Sequence, residues 1–209
     1  MKITAIERRR GSLYELELDG VKGPQVDVRT FDESPYLLND SITEQQLEDL
    51  LARSVYNRAR EKALFLLGLR DYGCKELETK LAQQAPPETA AAVVARLREL
   101  GLLDDEQYAR RVAARLSESK HYPARRIQQE LRRRGIEAEL AQTAAAEIPM
   151  DDTQQALAFI EKKYYNKMHT EDSRRKVADA LARRGFAYST VRQAMQAYDE
   201  MVHTDSEEL

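Results

Sequence analysis

Apolar residues recur in pairs four positions apart through most of this chain. Leu77 and Leu81, Ile127 and Leu131, and Val177 and Leu181 are three such pairs, each 50 residues from the next. An i, i+4 apolar pair marks one face of a helix, so equal spacing of three pairs predicts one amphipathic helix used three times. The surrounding residues repeat with them. In PARRIQQELRRRGI (123–136) and SRRKVADALARRGF (173–186), Arg125 corresponds to Arg175 and Arg126 to Lys176. Arg133-Arg134-Gly135 corresponds in the same way to Arg183-Arg184-Gly185. The earlier copy, KELETKLAQQAP (75–86), keeps the leucines but carries Ala85 at the glycine position, followed by Pro86 and Pro87.

The flanks extend the unit. Asp104 with Gln107, and Asp151 with Gln154, each place a capping acid three residues before a glutamine that can cap in return. Gly135 and Gly185 suit the left-handed residue that closes a helix, with an apolar residue after each to fold back on it. A further helix follows each glycine, at about 137–147 and 188–201, with a counterpart at 88–100. The predicted unit is three helices of about 10–14 residues. Asp104 to Gly135 spans 31 positions and Asp151 to Gly185 spans 34, so the third copy has a longer first loop.

Residues 1–40 follow a different period. KITAIERR, SLYELELDG and QVDVRTFDE alternate partly in twos, with turn signals at Arg10-Gly11, Asp19-Gly20 and Lys22-Gly23-Pro24, and predict a small β meander. Helical pattern begins at Thr43, with Gln46 three places on, and runs with one break to about Arg70. The expected fold is mainly α: three tandem three-helix repeats, elongated and curved, preceded by a small N-terminal β segment. The expected divisions are 1–42 (β-rich), 43–103 (helical entry and repeat 1), 104–150 (repeat 2), 151–203 (repeat 3) and 204–209 (acidic tail).

Charge sharpens this picture. A net of −3 conceals alternating blocks: residues 110–134 hold nine Lys/Arg against two Glu, 135–160 hold five acids and no base, 161–185 eight bases against four acids, and 186–209 one base against five acids. Such banding suggests a partner touching one face. At about 100° per residue, Arg125, Gln129 and Arg132 fall nearly opposite Ile127 and Leu131, with Arg126 and Arg133 along one flank. A solvated helix face explains most charge runs. Here few acids stand at i, i+4 to offset the repulsion among nine bases, which favours a binding role. Arg134 and Arg184 lie toward the apolar side, where the helix dipole and the terminal carbonyls account for them.

The search for chemistry returns little. No glycine-rich phosphate loop is present, so ATP hydrolysis is not expected of this chain. His121, His169 and His203 fall in loops or the tail without metal-ligand spacing and read as solvated. Cys74 reads as a helix-entry thiol, and as the single cysteine it excludes an internal disulfide framework and fits a reducing compartment. The paired aspartates 104/105 and 151/152 read as caps rather than catalytic carboxylates. No catalytic residue, cofactor or metal is expected. The longest apolar run is ALFLLGL (63–69), too short to span a membrane, and MKITAIERRR lacks the apolar core of a signal peptide, so the expected location is cytoplasmic. Among the tyrosines, Tyr108 reads as core, while Tyr122, Tyr164 and Tyr165 could pack or stack on bases.

The segments ALFLL, KELETKL, VVARLRELGLLDDEQYA, PARRIQQELRRRGI and RRKVADALARRGF resemble the bacterial RecX family, and LELDG followed by ITEQQLEDLL is similar to the N-terminal segment of its longer members. The resemblance covers nearly the whole chain. Its most specific parts are LRELGLLDDEQYA and RRIQQELRRRGI; the departures are Ala85-Pro86-Pro87 and the enlarged loop YYNKMHTED. What the resemblance implies is a modulator of the RecA recombinase that docks in the groove of the RecA–single-stranded-DNA filament. It would restrain filament growth, ATP hydrolysis, strand exchange and co-protease activity. The expected partners are the RecA filament first and single-stranded DNA second, with the chain acting as a monomer and without a membrane. The residues expected to meet them are Arg110, Arg111, Arg115, Lys120, Arg125, Arg126, Arg132 and Arg133 in repeat 2, with Arg174, Arg175, Lys176 and Arg183 in repeat 3. The alternative is a helical-repeat module that reads nucleic-acid phosphate through the same arginines without RecA.

Overall fold

The computed structural model describes residues 1–149, 151–165 and 167–207, with side chains to residue 202. Three strands, β1 (Ile3–Arg9), β2 (Leu13–Leu18) and β3 (Val21–Asp27), form an antiparallel meander in the order β1-β2-β3. The β2–β3 hairpin turns on Asp19 and Gly20 alone, at φ 51° and 81°. Two successive positive φ values match the right-handed twist of the strands, which is why Asp-Gly marks this position.

Two N-terminal expectations change. Lys22-Gly23-Pro24 is not a turn but part of β3, where the register shifts between Glu15 and Glu17. A Cβ on Gly23 would stand 3.0 Å from the Leu16 carbonyl oxygen, so a side chain there would crowd the neighbouring strand. Pro24 is accommodated because β3 is an edge strand. The predicted third strand also stops early. Asp27 accepts a hydrogen bond from Thr30 N at 3.0 Å and caps a short helix, α1 (Val28–Asp32), that buries Thr30 and Phe31.

The remaining helices are α2 (Glu44–Leu69), α3 (Cys74–Leu81), α4 (Pro87–Glu99), α5 (Asp105–Lys120), α6 (Ala124–Arg133), α7 (Ala138–Ala146), α8 (Asp152–Tyr164), α9 (Glu171–Arg184) and α10 (Tyr188–Glu207). The break expected before Arg70 is absent: α2 is one helix of 26 residues, opened by the reciprocal Thr43–Gln46 box. Its two halves serve different cores. Leu47, Leu50 and Leu51 pack with Ile3, Leu16, Val26, Phe31 and Ile42 of the β segment. Ala59 and Ala63 pack instead with Leu77, Leu81, Val93 and Leu97 of α3 and α4. Helix α2 therefore supplies the first helix of repeat 1.

Helices α5–α7 and α8–α10 build two further clusters of the same plan around Ile127 and Leu131, and around Val177 and Leu181. All six repeat residues are at most 1% exposed. Helices α6 and α9 close identically: Gly135 and Gly185 are left-handed at φ 83° and 98°. Ile136 N donates to Leu131 O at 3.2 Å and Phe186 N to Leu181 O at 3.3 Å, which satisfies carbonyls that helix ends leave unpaired. Repeat 1 does without the glycine because α4 begins directly at Pro87, whose fixed φ suits the first helical position. Asp104 accepts from Gln107 N at 2.9 Å, and the Asp151–Gln154 box is reciprocal. Helices α5 and α10, at 16 and 20 residues, exceed the expected length. Helix α10 runs to Glu207 through four of the six expected tail positions, while Glu208 and Leu209 lie outside the described residues.

By packing, the chain forms two units, Met1–Leu103 and Asp104–Leu209. The second holds repeats 2 and 3 and all the basic residues singled out by the sequence.

Candidate functional site

Helix α6 buries Ile127 and Leu131, so its remaining faces are set by the helical period. Arg125, Gln129 and Arg132 are exposed on the far side, and Arg126 is half-buried on the flank. Glu130 pairs with Arg126 at 2.9 Å and reaches Arg133 at 3.5 Å, with Arg133 still 74% exposed. Arg125 and Arg132 have no ion pair among the described residues, nor does Arg115 on the exposed side of α5. Arg110 is engaged on both sides, at 2.6 Å to Glu106 and 2.8 Å to Glu147. The Glu147 hydrogen bond, with the two carboxylates' charge, raises its pKa above the usual guanidinium value. Arg111 and Lys120 are exposed on α5.

Repeat 3 divides differently. Arg175 and Arg183 are exposed and unpaired among the described residues, and Lys176 pairs with Asp172 at 2.6 Å with both ends exposed. Arg174 turns inward and makes a two-point contact with Asp199 of α10, at 2.8 and 2.6 Å. That hydrogen bond raises its pKa, and it joins α9 to α10 rather than extending an outward strip. Arg110 and Arg174 are thus committed within the fold, while Arg115, Arg125, Arg132, Arg175 and Arg183 present guanidiniums unpaired among the described residues.

Sequence reasoning missed the seam between repeats 2 and 3. Ala124 N donates to Asp152 Oδ1 at 2.8 Å, and Gln155 Nε2 donates to Ser117 Oγ in the interior. Arg184 donates to the Lys120 carbonyl at 2.7 Å and lies over the Phe159 ring at 4.0 Å. Its carbonyl partner therefore belongs to the preceding repeat, not to its own helix end. Tyr122, Tyr164 and Lys163 are drawn to the same place: the ring of Tyr122 lies 5.9 Å from the Arg184 guanidinium and 5.6 Å from that of Arg126. Tyr164 meets Phe159 edge to face at 5.7 Å, and Lys163 Nζ lies 5.7 Å from the Phe159 ring. Together with Ala180 and Arg183 these residues line an open cup of about 330 Å³. Phe159 and Lys163 gave no signal in the sequence beyond helical spacing and charge.

The histidines also part company. His121 closes α5 in the left-handed conformation, φ 50° and ψ 51°, and its Nε2 is buried without a partner. That burial means it is not a solvated loop residue, and burial, with the charge of Lys162 beside it, lowers its pKa from the usual imidazole value. His169 is exposed, and the His203 side chain lies outside the described residues. Cys74 opens α3 and is half-buried. Tyr108 is core at 2% exposure. Among the described residues no group of three His, Cys, Asp or Glu could hold a metal, and no helix is long and apolar enough to cross a membrane.

Three family models match this chain: RecX, first three-helix domain, over residues 59–97; RecX, second three-helix domain, over 104–144; and RecX, third three-helix domain, over 151–195. The chain is 36% identical over 140 residues to the regulatory protein RecX of Trichlorobacter lovleyi, covering 64% of this chain and 91% of that one. It is 36% identical over 136 residues to the regulatory protein RecX of Xanthomonas axonopodis pv. citri, covering 64% and 83%. A crystal structure of regulatory protein RecX superposes with a TM-score of 0.64 at 22% identity, over 93% of this chain and 98% of that one, which supports the fold.

Proposed function

This chain belongs to the RecX family of regulatory proteins, and on that premise we propose that it binds the RecA–single-stranded-DNA filament and restrains filament growth, ATP hydrolysis, strand exchange and co-protease activity. The observation that carries the reading is the set of exposed arginines, unpaired among the described residues, on equivalent helices: Arg125 and Arg132 on α6, Arg175 and Arg183 on α9. Guanidinium suits either filament component, since its planar fork pairs with carboxylate or phosphate through two hydrogen bonds. Arg111, Arg115, Lys120, Arg126, Arg133 and Lys176 accompany that set. Arg110 and Arg174, already held by Glu147 and Asp199, position it rather than extend it. The protein acts in the cytoplasm as a monomer, on a partner rather than on a substrate.

The test is a titration of Arg125→Glu/Arg132→Glu against RecA–single-stranded-DNA filaments, following ATPase. Both side chains point away from the core, so circular dichroism should be unchanged. Filament inhibition should weaken by about tenfold or more, because each lost attraction becomes a repulsion, and wild-type inhibition should fall as salt rises. Undiminished inhibition by the folded variant would place the binding surface elsewhere. Wild type should also act below one molecule per RecA protomer; a requirement for enough protein to cover the strand favours simple competition for DNA.

A further inference from the structure

We propose that the cup between α8, α9 and the Tyr122 turn holds one nucleotide unit of a single nucleic-acid strand, with its phosphate among Arg126, Lys163 and Arg183 and its base against the tyrosines. The proposal deepens the filament reading by assigning the strand contact to a specific place. Three observations carry it.

The first is the charge. Four cations, Arg126, Lys163, Arg183 and Arg184, come from three helices into one cup whose lining includes no carboxylate. Glu130 offsets Arg126 from the side, and Arg184 is engaged with the Lys120 carbonyl. Lys163 and Arg183 have no ion pair or hydrogen bond among the described residues. Like charges gathered in this way repel unless an anion joins them.

The second is that the cup is built rather than accidental. Its walls are pinned by Ala124 N on Asp152 and Arg184 on Lys120 O. A Cβ on Gly185 would lie 3.7 Å from Arg126 Cβ and 3.8 Å from Pro123 Cγ, so the end of α9 seats closely on the start of α6. Nor does the repeat plan demand this lining. At the 47-position offset that brings Asp104 onto Asp151, Phe159, Lys163 and Tyr164 stand where repeat 2 has Val112, Leu116 and Ser117. Repeat 3 has replaced two apolar residues and a serine with a ring, a cation and a second ring.

The third is size and chemistry. At about 330 Å³ the cup lies near the lower end of the roughly 300–1,000 Å³ typical of small-ligand sites, too small for a helix or strand of a protein partner. Phe159 is buried under Arg184, whereas Tyr122 and Tyr164 are half-buried and keep part of each ring at the surface. Cations that track phosphates beside aromatic rings are the arrangement by which proteins hold unpaired bases, and a duplex keeps its bases stacked inside. A protein carboxylate would satisfy the guanidiniums but leave the exposed parts of Tyr122 and Tyr164 uncovered.

The test is fluorescence anisotropy of a labelled oligodeoxythymidylate with the full chain and no RecA, over a series of salt concentrations. Lys163→Glu/Arg183→Glu should raise the dissociation constant at least about tenfold and lower the salt slope by about one, as loss of a single phosphate contact does. Tyr164→Leu should weaken binding about fivefold or more with the salt slope unchanged, and Tyr164→Phe should bind as wild type, since the ring and not the hydroxyl stacks. Circular dichroism checks folding for each. The proposal is overturned if the wild type does not bind the strand, or if the folded charge variant keeps wild-type affinity and slope. It is also overturned if Tyr164→Leu has no effect, which would reduce the cup to an unselective anion contact. Because RecA is absent, none of these failures touches the filament reading, and undiminished filament inhibition by Arg125→Glu/Arg132→Glu, which would sink that reading, leaves the cup standing.

Discussion

Helices α6 and α9 are near copies in sequence and in backbone, yet their equivalent arginines do different things. Both bury an apolar i, i+4 pair, both close on a left-handed glycine, and both return an amide to the fifth residue back. Arg134 and Arg184 occupy the same place one residue before that glycine. Arg184 stacks on Phe159 and donates to the Lys120 carbonyl; Arg134 is half-buried with no such partner among the described residues. Ala124, at the position of Arg174, uses its backbone amide on Asp152, whereas Arg174 uses its side chain on Asp199. The helix sets where a side chain points, and the neighbouring helix sets what it meets.

The largest effect should fall on what the two copies share. Leu131→Ala and Leu181→Ala should each cost about 2–5 kcal/mol in denaturant unfolding, because both leave a cavity in a core that is 0% exposed at that residue. A loss below about 0.5 kcal/mol at either position would break the equivalence of the repeats.

Next comes the position where the copies diverge. Arg184→Ala should cost about 1–2 kcal/mol, since it removes a guanidinium from a buried ring and a charged donor from a carbonyl. Arg134→Ala should cost less than about 0.5 kcal/mol. Equal losses would show that both arginines act only on their own helix ends, and the seam would lose its anchor.

A smaller effect is expected at the Arg174–Asp199 contact, for which α6 has Ala124 in place of the arginine. A double-mutant cycle of Arg174→Ala and Asp199→Ala should give a coupling of about 1 kcal/mol, as a two-point but partly exposed pair does. Zero coupling would make Arg174 free to serve the outward surface after all.

The smallest effect should be a pH dependence. His121 has its folded pKa lowered by burial, so protonation favours the unfolded chain. Its full contribution is therefore present above the unfolded imidazole pKa of about 6.5 and is lost as pH falls below that value. The thermal midpoint of the wild type should decline between pH 7 and 5.5 more steeply than that of His121→Asn, which tolerates the same left-handed backbone. Parallel declines would remove His121 from the account.

Much of this architecture was legible because its determinants are local. An apolar pair at helical spacing, a capping acid three residues before a glutamine, and a glycine ahead of an apolar residue each act within one or two turns. Six buried core positions and two helix closures follow from that short-range chemistry alone. The N-terminal segment shows where local reading stops. Lys22-Gly23-Pro24 carries turn residues, but pairing with β2 makes it a bulged edge strand, and the Asp27 cap converts a predicted strand into α1.

For the functional surface the division is sharper. The sequence by itself determined which basic residues face away from the α6 and α9 cores, because the helical period turns position into direction. It also determined the family, through motifs long enough to be specific. Only the tertiary structure decided that Arg110 and Arg174 are already paired, that His121 is half-buried, and that Lys163 and Tyr164 share a cup with Arg126 and Arg183. Those outcomes depend on residues distant in sequence meeting across packed helices, as Arg110 and Glu147 do 37 positions apart and Arg174 and Asp199 do 25 apart. Hydrophobic period fixes which face of a helix is buried, but a salt bridge or a ring contact needs a partner, and partners are supplied by packing.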